Sequence, residues 1–296
     1  MAESAITSRP PLISVILPCY NAHRFLGQTL ESVRRQTFRD YETIVIDDGS
    51  TEPETLQFLQ QLPADVRVVH QENRGLSGAR NTGFREARGR YVLPLDCDDW
   101  IEPRFLEKLL AALSAGDPDN TFVFCHLALE GDKAGILPKQ FNLFEQLCAN
   151  QLPYCLLLSR ALWLRVGGYD ETMRQGAEDW EFNIRLALSG AQAAVVAEAL
   201  FHYRVSSSGM LLSVSRQRHH LLWDTIQRKH AEAYRPATLF RLWRTWRRRP
   251  SAHPLWHYVP LLVAHRLLPQ GLFQWLFSQA MRFSRSRRFQ VVASDR

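Results

Sequence analysis

Two hydrophobic periods alternate along the first two hundred residues. The run ISVIL at residues 13–17 is short, aliphatic and β-branched and stops at Pro18, which predicts a buried strand leaving a sheet. Leu26, Leu30 and Val33 then recur at i, i+4 and i+7, so a helix follows and ends before residues 38–41. The stretch YETIVIDDGS repeats the strand pattern and runs into two carboxylates and a Gly-Ser turn. Residues 54–61 predict a short helix, 66–69 a third strand, 78–87 a helix opened by Gly75 and Gly78, and 90–95 a fourth strand ending in Asp96. Further on, an amphipathic helix is expected over 103–113, a strand over 121–129, helices over 159–166 and 179–188, and a last strand over 193–204. No internal repeat or low-complexity segment interrupts this order.

Strands and helices alternating at this spacing build βαβ units on a mainly parallel sheet, an α/β fold in which ligands sit beyond the carboxyl ends of the strands. The polar residues at those ends are Tyr20 and Asn21 after the first strand, Asp47 and Asp48 after the second, and Asp96, Asp98 and Asp99 after the fourth. Three carboxylates within four residues repel one another unless a cation offsets them. Mg2+ or Mn2+ is commonly held by one or two such groups completed by substrate phosphates. An acidic helix start capped by Asp99 is the plain alternative. Asp47-Asp48-Gly49-Ser50 reads either as an Asx-turn or as a carboxylate for a nucleobase or ribose. NRGLSGARN at 73–81 offers backbone amides at a helix start and two guanidinium groups, which suits a diphosphate; a surface loop is the other reading.

Composition narrows the class. The 296 residues are 46% hydrophobic and 22% charged, which excludes a disordered chain and allows one large core or a catalytic domain with an appendage. No apolar run reaches the roughly 18 residues of a spanning helix, and MAESAITSRPPLISV lacks the order of a signal peptide, so a cytoplasmic protein is expected. Five cysteines without CxxC spacing indicate neither a disulfide framework nor a zinc knuckle; they are expected to be reduced and packed. The net charge of +6 hides an asymmetry, because residues 214–296 carry 16 Lys and Arg against 3 Asp and Glu. Five of the eight tryptophans also lie there, which supports a domain at 1–213 and a basic, aromatic helical extension at 214–296.

The ordered set ISVILPCYN, VIDDGS, NRGLSGARNTG, LDCDDW, GGYDE, GAEDWEF and FHYRVSSSGM resembles glycosyltransferase family 2 over roughly residues 13–210. The resemblance implies a GT-A type fold, with a Rossmann-like, mainly parallel central sheet flanked by helices. It implies metal-dependent, inverting transfer of a sugar from a nucleotide-diphosphate donor, a UDP-sugar, to a hydroxyl of a glycan or lipid-linked acceptor in cell-surface polysaccharide synthesis. By the same likeness Pro18, Tyr20 and Asn21 border the base and Asp48 contacts it. Asp96 contacts the ribose or the metal, Asp98 is the direct ligand of Mn2+ or Mg2+, and Arg80 and Asn81 lie near the donor. Cys97 stands where the family usually has a small residue. Glu178, Asp179 and Glu181 cannot all face one pocket from a helix, since neighbours point about 100° apart. The resemblance picks Asp179 as base, with Glu178 for acceptor contact or orientation, and ranks Arg204 above His202 at the diphosphate. An acidic first turn favoured by the helix dipole is the plain alternative.

Two other functions stay open: a non-catalytic sugar-nucleotide or glycan-binding module on the same fold, and a nucleotidyltransferase. The latter would carry a glycine-rich basic loop after the first strand, where PCYN stands. In the extension, RLWRTWRRR at 241–249 and the interrupted apolar stretch 256–277 fit an interfacial pair of helices on anionic lipid at the inner face of the cytoplasmic membrane. Packing on the catalytic domain or a dimer interface competes with this, and no nucleic-acid fold is recognisable.

Overall fold

The computed structural model describes residues 9–206, 219–246, 258–269, 271–273 and 275–276. Residues 207–210, 247–249 and Trp256, singled out from the sequence, lie outside these, as does the start at 1–8. The chain forms two compact units, Met1–Val123 with Cys155–Gly168, and Phe124–Tyr154 with Tyr169–Arg296.

In the first unit the expected alternation is found as β1 (Ile13–Cys19), α1 (His23–Arg34), β2 (Tyr41–Asp47), α2 (Pro53–Gln60), β3 (Val66–His70), α3 (Gly75–Glu86) and β4 (Tyr91–Pro94). β1 pairs in parallel with both β2 and β4, and β2 with β3, giving the order β3-β2-β1-β4. The order reverses at β1, so the crevice beyond the carboxyl ends of β1 and β4 is the switch point where such sheets take ligands. Every residue of β1 is buried, as a strand covered on both faces requires. Each buried Val, Ile or Leu there contributes about 1.5–3 kcal/mol relative to exposure. α1 buries Leu26, Leu30 and Val33, the three residues that predicted it. α3 rides directly on β1: a Cβ at Gly83 would lie 2.0 Å from Ile16 Cγ2.

β5 (Trp100–Ile101) and α4 (Phe105–Ser114) lead into β6 (Thr121–Gly131), followed by β7 (Gly135–Leu137) and α5 (Leu143–Gln146) in the second unit. β8 (Leu157–Ser159) and α6 (Arg160–Val166) again belong to the first, where β8 pairs antiparallel with β4 and with the start of β6. The sheet is therefore mixed but mostly parallel. Ser159 caps α6 by accepting from the Leu162 amide at 3.0 Å, and Gly167 ends it in the left-handed region.

The second unit continues with α7 (Glu178–Leu188), β9 (Gln192–Val205), α8 (His219–Lys229), α9 (Pro236–Trp246) and α10 (Tyr258–Leu267). β9 neighbours β6, which carries β7 antiparallel. Leu147, Trp180 and Ile184 share one core with Trp223, Ile226, Tyr234 and Phe273, so the described part of the basic segment is packed into this unit. The Leu147 carbonyl accepts from both Trp223 Nε1, at 2.9 Å, and the Tyr234 hydroxyl, at 2.7 Å. Lys229 pairs with Asp170, and His230 with Glu181 at 3.0 Å. Among the described residues no helix is long and apolar enough to cross a membrane. All five cysteines are free and buried.

Candidate active site

The turns after β1 and β2 interlock. Pro18 is buried inside β1, while the Tyr20 ring stands 52% exposed at its end. Asn21 takes a left-handed φ of 52°. Its Oδ1 accepts from the backbone amides of Thr51, at 2.9 Å, and Glu52, at 3.0 Å, tying the first turn to the start of α2. Asp48 is buried and accepts from Gln71 Nε2 at 2.6 Å and the Arg74 amide at 2.7 Å. Burial pushes the neighbouring Asp47 carboxyl up, but hydrogen bonds from Ser50 and His70 outweigh it and hold the group below the usual carboxylate range.

The acidic motif after β4 splits into three environments. Asp96 accepts with both oxygens, each at 2.9 Å, from Nη2 of Arg80, whose side chain is 1% exposed. Of the two guanidinium groups expected for a diphosphate, that of Arg80 is thus taken up in orienting an acid, while Arg74 is exposed at the start of α3. Asp99 is buried and does not cap α4, whose N-cap is Arg104 without a side-chain bond, so the plain reading of this motif as a capped helix start does not hold. Asp98 is exposed. Among the described residues no group of three or more His, Cys, Asp and Glu forms a metal cage. An exposed carboxylate at a strand end nevertheless fits a hard divalent cation completed by phosphate oxygens. Cys97 is buried; its Sγ donates to the Pro18 carbonyl at 3.0 Å, and its contact with Cys19, together with burial, raises its pKa, so the thiol stays protonated. Asn81 is buried against Gly168, where a Cβ would lie 2.8 Å from its Oδ1 and φ is 70°.

The remaining candidates stand in the second unit. Ala177, with φ 62°, is the other non-glycine residue in the left-handed region among the described residues, and it launches α7 with Glu178 buried and Asp179 half-buried. Asp179 Oδ1 accepts from the Trp180 amide at 2.7 Å and Oδ2 from Asn150 Nδ2 at 2.9 Å. Asn150 is itself held by Gln146 Nε2 at 3.0 Å. Trp180 is a core residue that donates to the Gln146 carbonyl at 2.6 Å. His202 pairs with Glu130 at 3.1 Å, and Arg204 is half-buried two residues on. Gln71, Gln146 and Asn150 were not singled out from the sequence. They belong to no motif, and Asn150 reaches an acid 29 positions away.

A family model described as Glycosyl transferase family 2 matches residues 14–174. The putative glycosyltransferase EpsH of Bacillus subtilis (strain 168) is 36% identical over 127 residues, 42% of this chain and 36% of that protein. The uncharacterized glycosyltransferase EpsJ of the same organism is 29% identical over 219 residues, 68% of this chain and 63% of that protein. The chain thus spans less than two thirds of either relative. Among solved structures, S. aureus TarS 1–349 in complex with UDP-GlcNAc has a TM-score of 0.61 at 22% identity, over 73% of this chain and 65% of that one. Mannosyltransferase PcManGT from Pyrobaculum calidifontis, in complex with GDP-Man and Mn2+, has a TM-score of 0.55 at 19% identity, over 95% and 76%. At these identities the likeness bears on the fold alone, which is of the GT-A type. Because the family match takes in more than half of the chain and runs from β1 past α6, the chain belongs to glycosyl transferase family 2.

Proposed function

We propose that the chain is an inverting, metal-dependent glycosyltransferase. It moves a sugar from a UDP-sugar to a hydroxyl of a glycan or lipid-linked acceptor, in cell-surface polysaccharide synthesis at the inner face of the cytoplasmic membrane. The observation that carries this reading is the crevice at the carboxyl ends of β1, β2 and β4. There Asp48 is buried and doubly hydrogen-bonded, Asp96 is clamped by Arg80, and Asp98 is exposed. The glycosyltransferase names of the relatives, and the UDP-GlcNAc and GDP-Man carried by the structural neighbours, support it.

Tyr20 borders the nucleobase and Asp48 accepts its hydrogen bond; Pro18, Asn21 and Asn81 shape the wall. Asp96, with its oxygens aimed by Arg80, takes the ribose. Asp98 holds Mn2+ or Mg2+, which when bound neutralises the diphosphate and makes it a better leaving group. Asp179 takes the proton of the acceptor hydroxyl while that oxygen bonds to the anomeric carbon. The bond from that carbon to the diphosphate oxygen breaks, and the electron pair leaves with the diphosphate. Glu178 orients the acceptor and Arg204 meets the departing charge.

The test is thermal stabilisation of the full chain by UDP, GDP, dTDP and CDP, each with and without Mn2+. A nucleotide at about 100 times its dissociation constant adds roughly 2.7 kcal/mol. UDP is expected to raise the melting temperature in a metal-dependent way, and Asp98→Ala to remove the metal-dependent part. Asp179→Asn is expected to keep the shift and lose release of UDP from UDP-sugars. No shift with any nucleotide overturns the donor site, and undiminished turnover in Asp179→Asn removes Asp179 from the role of base.

A further inference from the structure

The second unit carries a groove that the proposed chemistry does not use. Its volume is about 390 Å3, and it opens between α9 and α10 over Phe144 and Tyr234. Its walls are apolar: Leu239, Trp243 and Leu262 line it, with Phe240 and Val263 at 57% and 49% exposure. Polar side chains that reach it are engaged within the protein, Gln227 with His265 Nδ1 at 3.1 Å, Arg266 with the Tyr234 carbonyl at 3.1 Å and the Tyr234 hydroxyl with the Leu147 carbonyl at 2.7 Å. A polar ligand finds little here, whereas a hydrocarbon chain finds walls of its own kind. One helical turn beyond Val263 on α10, Leu267 stands 76% exposed and extends the apolar stripe.

The charge of the segment selects the occupant. Between residues 236 and 294 there are ten arginines and no Asp or Glu. On α9 the apolar residues Leu239, Phe240, Leu242 and Trp243 share one side, while Arg241 and Arg244 lie on the other and are exposed. A second copy of this face would bring two uncompensated positive fields together, which opposes self-association. An anionic surface with apolar chains beneath its charges matches both features.

We propose that this groove takes an acyl chain of an anionic phospholipid, seating α9 and α10 at the surface of a negatively charged bilayer. This deepens the membrane-side part of the proposed function by naming the site and the lipid chemistry, and it is independent of the donor crevice. Flotation of the full chain with vesicles tests it, using phosphatidylcholine alone and phosphatidylcholine mixed with phosphatidylglycerol. Recovery is expected with the mixed vesicles only and falls as salt is raised. Phe240→Asp, Val263→Asp and the double variant Arg241→Glu/Arg244→Glu are each expected to lower recovery about tenfold. Lipids brominated at mid-chain are expected to quench tryptophan emission in the wild type and less in Trp243→Phe. The UDP-induced melting shift, unchanged in these variants, separates this result from the fate of the donor site. Absence from both vesicles overturns the proposal. So does recovery that Phe240→Asp and Val263→Asp leave intact, since the arginines alone then adhere. A wild-type dimer that Phe240→Asp splits in light scattering assigns the groove to a second copy instead.

Discussion

Arg80 and Asp96 form a largely buried ion pair in the first unit, with a guanidinium 1% exposed and a carboxylate 21% exposed. A buried charge left without its partner loses hydrogen bonds worth about 1.5–3 kcal/mol. Asp96→Ala is therefore expected to lower stability in chemical denaturation by about that amount, because it removes the carboxylate that faces the buried Arg80, and to remove the UDP-induced melting shift. Asp98→Ala, on an exposed side chain, is expected to leave the denaturation midpoint in place and alter only the metal-dependent part of that shift. The same logic in the second unit concerns Asn150, which fixes one oxygen of Asp179 from 2.9 Å. Asn150→Ala is expected to slow UDP release from UDP-sugars about tenfold, the equivalent of one hydrogen bond to a charged group, with the melting shift by UDP retained. The acids themselves were legible because each closes a strand or opens a helix in a recognisable string. Their partners were not: Gln71, Gln146 and Asn150 are single amides whose meaning depends on which chain segment folds against them. Arg80 was legible as important, but its contact with Asp96 is set by α3 lying across β1 and β2, which no local pattern states.

At the scale of elements, the long periodic segments were readable and the short ones were not. α1 and β2 carry enough repeats of their period to be placed to within a few residues, and α3 starts three residues earlier than the glycines suggested. β5, β7 and β8 have two or three residues each, too few to show any period, and β8 supplies an antiparallel pairing within the mainly parallel sheet that was expected. α7 matters most for the proposed chemistry, because it bears Glu178 and Asp179, and it is fastened through Glu181. Glu181 accepts from Arg185 and faces His230 at 3.0 Å. Burial pushes the Glu181 carboxyl up, and those two partners outweigh it, so it lies below the usual range. A carboxyl depressed in the folded state contributes stability that is present above its unfolded value of about 4.3 and is lost as pH falls through the folded value. Glu181→Gln is thus expected to be less stable than the wild type near neutral pH and to lose less stability on acidification, with the two curves converging at the acid end. Parallel denaturation curves at each pH decide it, and a constant gap between the two proteins at all pH values would remove Glu181 as the acid-sensitive fastening of α7.

Across the whole molecule, charge and packing divide the chain at different places. The basic excess begins near residue 214, but the core of the second unit draws on residues from both sides of that point. Trp223, Ile226, Tyr234 and Phe273 are all nearly or fully buried against Leu147, Met173, Trp180 and Ile184. At about 1.5–3 kcal/mol for each large buried side chain, these four contribute roughly 6–12 kcal/mol, comparable with the whole net stability of a domain. The two donors that converge on the Leu147 carbonyl also come from beyond residue 214, and that carbonyl follows directly on Gln146, which holds Asn150. Removing residues 214–296 is therefore expected to do more than discharge the protein. It strips the cover from α5 and α7, exposes Trp180 and Ile184, and loosens the amide that fixes Asp179. The truncated chain should show a lower and broader thermal transition and rapid proteolysis within 169–206, while retaining protease-resistant fragments of the first unit, whose sheet the deletion does not touch. A truncated chain that melts as sharply and as high as the wild type would mean that residues 124–154 and 169–206 complete their own core, and that the basic segment is an appendage by folding as well as by charge.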